Sequence, residues 1–268
     1  MEYDPIKARL GVIFNSTTLF RKAFYKLLDL LLLRAWHVHK DLRMWMIKNK
    51  NTADILDAGC GFGQYSYYLA KNHPNYNILA VDVMEKQIAD CSQFFKKAGL
   101  NNVTFRVEDL VTYQKPNSYD LIVSVDVMEH ILEDVEVFKN FHASLKPGGM
   151  LIVNTPSDQG GSDVKEEGQE SFIGEHVRDG YNINEIQEKL RSVGFTKIDA
   201  RYTYGAPGKI SWKLSMKYPM LMLNKSMAFG VLLPFYYALT YPVSYVLNSL
   251  DVSGKHKTGT GLVVKAWK

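Results

Sequence analysis

Between Ile55 and Gly63 the chain reads Ile55-Leu56-Asp57-Ala58-Gly59-Cys60-Gly61-Phe62-Gly63, an apolar run that breaks into glycine at every second position. Such a turn lets backbone approach a ligand closely, and the helical pattern that follows offers unpaired N–H groups at its N-terminus. A dinucleotide loop needs a third glycine in G-x-G-x-x-G to seat helix on strand, and here Gln64 occupies that place. Asp57, two residues before Gly59, would repel a pyrophosphate and attract a cation. A second apolar run ends Ala80-Val81-Asp82, where a carboxylate is placed to accept hydrogen bonds from ribose hydroxyls. The ligand these residues describe is a nucleoside that carries a positive charge.

A second group of polar residues follows a later strand pattern, in Ser124-Val125-Asp126-Val127-Met128-Glu129-His130. The carboxyl ends of parallel strands are where α/β proteins bind ligands, so this is the expected chemical centre. A histidine beside a carboxylate can take a proton from a hydroxyl, which makes His130 the candidate general base; the alternative is an imidazole that shapes the pocket. Were the segment helical, Asp126, Glu129 and His130 would share one face and could hold a divalent ion. An acidic helix start is also an ordinary capping feature, and the reading adopted assigns no metal.

S-adenosylmethionine is a nucleoside bearing a cation, and the chain resembles the class I, Rossmann-like S-adenosylmethionine-dependent methyltransferases over roughly residues 50–200 and its last strand. Further segments carry the likeness: Val107-Glu108-Asp109-Leu110, Tyr119-Asp120-Leu121-Ile122-Val123, and Leu145-Lys146-Pro147-Gly148-Gly149. Taken singly, each has a structural explanation as a turn or cap; their shared order points to the family. The resemblance implies S-adenosylmethionine as cofactor, held by Asp57, Gly59, Gly61, Asp82, Val83, Asp109, Leu110 and Asp126, with Asp109 at the adenine amino group. The acidic-acidic-His arrangement is similar to that of quinone-biosynthesis O-methyltransferases, and Glu175 to Tyr181 resembles a segment that closes over the pocket. It makes His176, Arg178 and Tyr181 candidate acceptor contacts.

These residues must be positioned by alternating elements. Short apolar runs near 54–58, 77–82, 102–107, 119–125 and 149–154 alternate with helical patterns near 63–72, 84–98 and 134–145. That alternation predicts a doubly wound, mostly parallel sheet. A polar stretch over 155–180, a candidate lid, leads to a helix near 183–193 and a strand over 195–203. A β-rich stretch over 259–267 completes seven strands, the last antiparallel, and two amphipathic helices precede the sheet over 17–49. The expected organisation is N-terminal helices over 1–50, a cofactor-binding domain over 51–204 and 259–268, and a helical cap inserted over 205–258.

That insertion has no charged residue between Lys225 and Asp251, and Pro234 and Pro242 interrupt it. A single membrane crossing would put the last two strands on opposite sides of a bilayer and sever the sheet. The remaining roles are a cap lining an apolar acceptor pocket, a homodimer surface, or an interfacial patch at a bilayer. The expected acceptor is accordingly small and lipophilic, such as a phenol, quinone precursor or isoprenoid-linked compound, with O-methylation favoured.

Composition is consistent with this. The 268 residues are 46% hydrophobic, enough for one α/β domain with an insertion, and the net charge of +4 comes without a basic run that would read nucleic acid. The same absence argues against a macromolecule methyltransferase. Intact Asp57, Gly59, Gly61 and Asp82 argue against a non-enzymatic binding module. The two cysteines fit no disulfide framework, and the acidic opening Met1-Glu2-Tyr3-Asp4 is no export signal, so the expected location is cytoplasmic, with membrane association if the insertion meets a bilayer.

Overall fold

A computed structural model of the chain describes residues 17–49, 51–160 and 177–268. Two helices come first, α1 (Thr18–Leu31) and α2 (Leu33–Lys48). Thr17 caps α1 by accepting from the Phe20 N–H. There follow β1 (Ala53–Ala58), α3 (Gln64–Asn72), β2 (Tyr76–Asp82), α4 (Glu85–Lys97), β3 (Val103–Val107) and β4 (Tyr119–Val125). Then come a short 3-10 turn (Met128–His130), α5 (Asp134–Ser144), β5 (Leu145–Pro156), α6 (Ile183–Ser192) and β6 (Lys197–Thr203). The insertion consists of α7 (Ala206–Trp212), a π-helical turn (Lys213–Lys217), α8 (Tyr218–Lys225), a 3-10 turn (Met227–Val231) and α9 (Leu233–Ser253), before β7 (Gly261–Trp267).

The seven strands form one sheet in the order β3-β2-β1-β4-β5-β7-β6, with β7 antiparallel to both β5 and β6 and the other pairings parallel. The expected fold class is therefore the observed one, and most elements fall within a residue or two of their expected bounds. The exception is β5, which starts at Leu145 through pairing with Tyr119. Of the lid expected over 155–180, residues 161–176 lie outside the described residues, and His176 with them.

Central strands are apolar at nearly every position because helices cover both faces. Strand alternation divides the core: Leu56 and Ile122 face Phe138, Phe141, Ile186 and Leu190 of α5 and α6. Ile55, Leu121 and Val123 face Val38 and Leu42 of α2, Leu69 of α3, and Phe94 and Phe95 of α4. α2 is thus part of the core layer, which is why its apolar spacing is visible in the sequence.

The insertion packs on α2. Asp251 of α9 accepts from His37 Nε2 at 2.8 Å, Lys40 Nζ donates to the Val252 carbonyl, and Trp36 meets Tyr245 edge to face. Within the insertion, Ser211 Oγ donates to Asn248 Oδ1 at 2.6 Å, and the hydroxyls of Tyr236 and Tyr237 donate to the carbonyls of Leu214 and Ser215. Among the described residues no helix is long and apolar enough to cross a membrane.

Candidate active site

The glycine loop joins β1 to α3 with Gly59, Gly61 and Gly63 all at positive φ. The three glycines serve different ends. A Cβ on Gly59 would lie 2.3 Å from Val127 Cγ2, so this residue lets the loop pass the segment after β4; the space it leaves is filled by Val127 rather than kept for a ligand. A Cβ on Gly63 would press on Phe95 and Cys91 of α4. Above Gly61 a Cβ would meet nothing nearer than Gln87 Oε1 at 3.8 Å, and this is the open cradle in the loop.

Asp82, at the end of β2, braces that cradle. Its Oδ2 accepts from the Gly61 N–H at 2.9 Å and its Oδ1 from the Met84 N–H at 3.0 Å. A carboxylate oxygen has two acceptor directions, so each retains one for a ligand hydroxyl. Asp57 lies under the loop, 2% exposed, and accepts from Ser66 Oγ of α3 at 2.5 Å. Burial raises its pKa to about 6, against the opposing effect of the Ser66 hydrogen bond. Gln64, standing where a dinucleotide loop has glycine, donates to Asp29 and fastens α1 to the loop; Arg21 donates to the Phe62 carbonyl from the same helix.

Val83 is exposed beside Asp82, and Asp109 is exposed after β3 with its Oδ1 accepting from the Val111 N–H. The Leu110 side chain points the other way, into the core between the sheet and α5, and its carbonyl accepts from Asn140 Nδ2 at 3.1 Å.

Past β4 the chain turns sharply. Asp126 adopts φ 52°, a left-handed conformation that is unusual for a side chain other than glycine, and its N–H is held by the Asn154 carbonyl. This breaks the helical face that would have gathered Asp126, Glu129 and His130, because only Met128–His130 form a turn. Among the described residues no group of His, Cys, Asp and Glu converges in a way that could hold a metal ion. Asp126 is instead ion-paired to Arg34 of α2. The Arg34 N–H in turn donates to the Tyr204 hydroxyl at the end of β6.

Glu129 is 1% exposed and accepts from Thr155 Oγ1 at 3.0 Å. Burial raises its pKa to about 7, although the Arg34 and Arg178 guanidinium groups pull in the other direction. His130 follows it on the same turn and is half-buried. Arg178 and Tyr181, expected at the acceptor, are both directed to Asp134: Arg178 is ion-paired to it and the fully buried Tyr181 hydroxyl donates to it at 2.7 Å. Arg178 also donates to the Ile131 carbonyl, so the two residues clamp the turn that carries His130.

The ends of β1, β2 and β4 thus carry a glycine cradle, a bracing carboxylate and a buried acid beside an imidazole. Residues 49–202 match a family model described as a methyltransferase domain. The chain belongs to this methyltransferase family. It is 28% identical over 158 residues to phosphoethanolamine N-methyltransferase 1 of Arabidopsis thaliana, covering 54% of this chain and 29% of that one. It is 31% identical over 104 residues to the ubiquinone biosynthesis O-methyltransferase of Rickettsia felis, covering 38% and 41%. The matched stretches span less than half the length of these curated relatives. Among solved structures, phosphoethanolamine N-methyltransferase 2 of Haemonchus contortus in complex with S-adenosyl-L-methionine superposes with a TM-score of 0.60 at 19% identity, over 85% of this chain and 52% of that one. The fold is that of the S-adenosylmethionine-dependent methyltransferases.

Arg34, Thr155 and Tyr204 were not read from the sequence as site residues. A lone arginine in an amphipathic helix carries no spacing signal, since its partner Asp126 lies in a different element.

Proposed function

We propose that the methyltransferase takes its methyl group from S-adenosylmethionine and transfers it to an oxygen of a small, lipophilic acceptor. The observation that carries this reading is the open cradle above Gly61, braced by a carboxylate that retains acceptor capacity. The donor set fits the cofactor: Asp82 for the ribose hydroxyls, the exposed Val83 and Asp109 for the base, the Leu110 backbone beside them, and Asp57 as a buried negative charge below Gly59. When bound, S-adenosylmethionine supplies an electrophilic methyl carbon on a sulfonium.

The chain's own residues then have to hold a nucleophile in line and accept its proton. An amine attacks as the free base, whereas a hydroxyl gains greatly from losing its proton. Glu129, with its raised pKa, and His130 on the same turn supply that acceptor, which suits the oxygen nucleophile proposed here. Asp126, fixed by Arg34, stands between them and the glycine loop and completes the cofactor side. Residues 205–258, read as a cap for the acceptor, brace α2 through Asp251 and His37, and Arg34 of the same helix holds Asp126. The relatives include both an N- and an O-methyltransferase, so phenols and quinone precursors are the acceptors to assay first, with amines beside them.

The assay is transfer from methyl-labelled S-adenosylmethionine to such a panel, with the product identified by mass spectrometry. His130→Ala should lower kcat on a hydroxyl acceptor by about a hundredfold while leaving cofactor affinity nearly unchanged. Full turnover in that variant would reduce His130 to pocket lining, and exclusive labelling of amines would overturn the oxygen assignment.

A further inference from the structure

The longest helix of the insertion, α9, has its polarity reversed. Phe235, Leu239, Val243, Val246 and Leu250 are all exposed, Phe235 and Leu239 at 70% and 80%. At 3.6 residues per turn these five positions fall within a quarter of the helix circumference. Ser244, Asn248 and Asp251, on the opposite side, are buried. Two of them are paired inside: Asn248 Oδ1 accepts from Ser211, and Asp251 accepts from His37 and from the Tyr204 and Gly208 N–H groups. A helix at a water-facing surface has the reverse arrangement.

The charge of the insertion that carries this face is one-sided. Residues 205–258 hold six lysines against a single acid, a larger positive balance than the +4 of the whole chain, and that acid is the buried Asp251. Lys209 and Lys213 of α7 and the following turn are exposed, on a helix that packs against the polar side of α9 through Gly208 and Ser211. Trp36 carries the surface toward the cofactor loop: its indole donates to the Leu30 carbonyl of α1 and its ring meets Tyr245 of α9. α1 covers the glycine loop through Arg21 and Asp29.

We infer that the outer face of α9 docks on an anionic lipid bilayer, with its apolar stripe in the interface and the insertion's lysines on the headgroups. Exposed apolar side chains with lysine and no exposed acid are the chemistry of interfacial attachment. Self-association fits less well, since a two-fold interface opposes a patch to itself and sets lysine against lysine. The docking stands independently of the proposed chemistry. Its functional meaning, access to an acceptor dissolved in the bilayer, rests on the lipophilic-acceptor reading above.

Sedimentation with vesicles tests it. The full chain should bind vesicles of equal parts phosphatidylcholine and phosphatidylglycerol, bind pure phosphatidylcholine weakly, and be released by salt. Phe235→Glu with Leu239→Glu should abolish binding, and Lys209→Glu with Lys213→Glu should weaken it by about tenfold or more. Neither pair touches the cofactor site, so calorimetric affinity for S-adenosylmethionine should be unchanged in both, which separates this proposal from the catalytic one. A chain that ignores anionic vesicles, or binds them equally with the Phe235 and Leu239 substitutions, overturns the inference. So does a salt-insensitive dimer in analytical ultracentrifugation that Phe235→Glu dissociates, which would assign the face to a second copy.

Discussion

Asp82→Ala should weaken S-adenosylmethionine binding by about a hundredfold or more, the equivalent of losing two charge-assisted hydrogen bonds. The side chain acts twice. It holds the Gly61 and Met84 N–H groups that shape the cradle, and its remaining acceptor directions are the ones proposed for the ribose hydroxyls. Asp82→Asn distinguishes the contributions, because an amide keeps one oxygen for the loop but offers hydrogens where the second hydroxyl needs an acceptor. Titration calorimetry on folded variants reads both, and the expected order of affinity is wild type, then Asn, then Ala. Equal affinity in all three would remove Asp82 from the cofactor site.

The second large effect is on stability. The Asp251 carboxylate is completely buried and accepts from His37 Nε2 and Tyr204 N on one oxygen and from Gly208 N on the other, with His256 nearby. These groups come from α2, the end of β6 and α7, so one side chain ties the insertion to the N-terminal helices. Asp251→Ala leaves the buried donors unpaired, and about 3–5 kcal/mol of unfolding free energy should be lost. Urea unfolding measures it; a loss below about 1 kcal/mol would class the cluster with surface pairs. Burial works to raise the Asp251 pKa, but the hydrogen bond from His37, with the neighbouring imidazoles and the Gly208 N–H, outweighs it, and the net shift is downward. A carboxyl with a depressed folded pKa contributes stability above its unfolded pKa and loses it as pH falls through the folded value. The wild type should therefore weaken in acid over that window, and Asp251→Ala should show less of this dependence.

Much of this architecture is legible in the sequence because it rests on local periodicity. Strand and helix alternation from Ile55 to Asn154, the glycines after β1 and the acid ending β2 are each set within a few neighbouring residues. What was not legible depends on distant pairings. Arg34 reaches Asp126 across 92 positions, and His37 reaches Asp251 across 214. Asp126 was legible as a polar residue at a strand end, yet its left-handed backbone follows from Asn154 holding its N–H, and that dissolved the expected shared face with Glu129 and His130. The uncharged run after Lys225 was visible as well. Which of its sides faces the protein was not, because Asn248 and Asp251 find their partners only once α7 and α2 are in place. The lone acid ending that run was the available signal, since a single carboxylate in so apolar a segment requires a partner.

The central claim is that the loop after β1 holds S-adenosylmethionine. Titration calorimetry of the wild-type chain with S-adenosylmethionine tests this most directly, with S-adenosylhomocysteine as competitor and a nicotinamide dinucleotide as control. The account predicts one saturable site that S-adenosylhomocysteine blocks and the dinucleotide leaves untouched. A folded chain that gives no heat with S-adenosylmethionine, or binds the dinucleotide in its place, would contradict it.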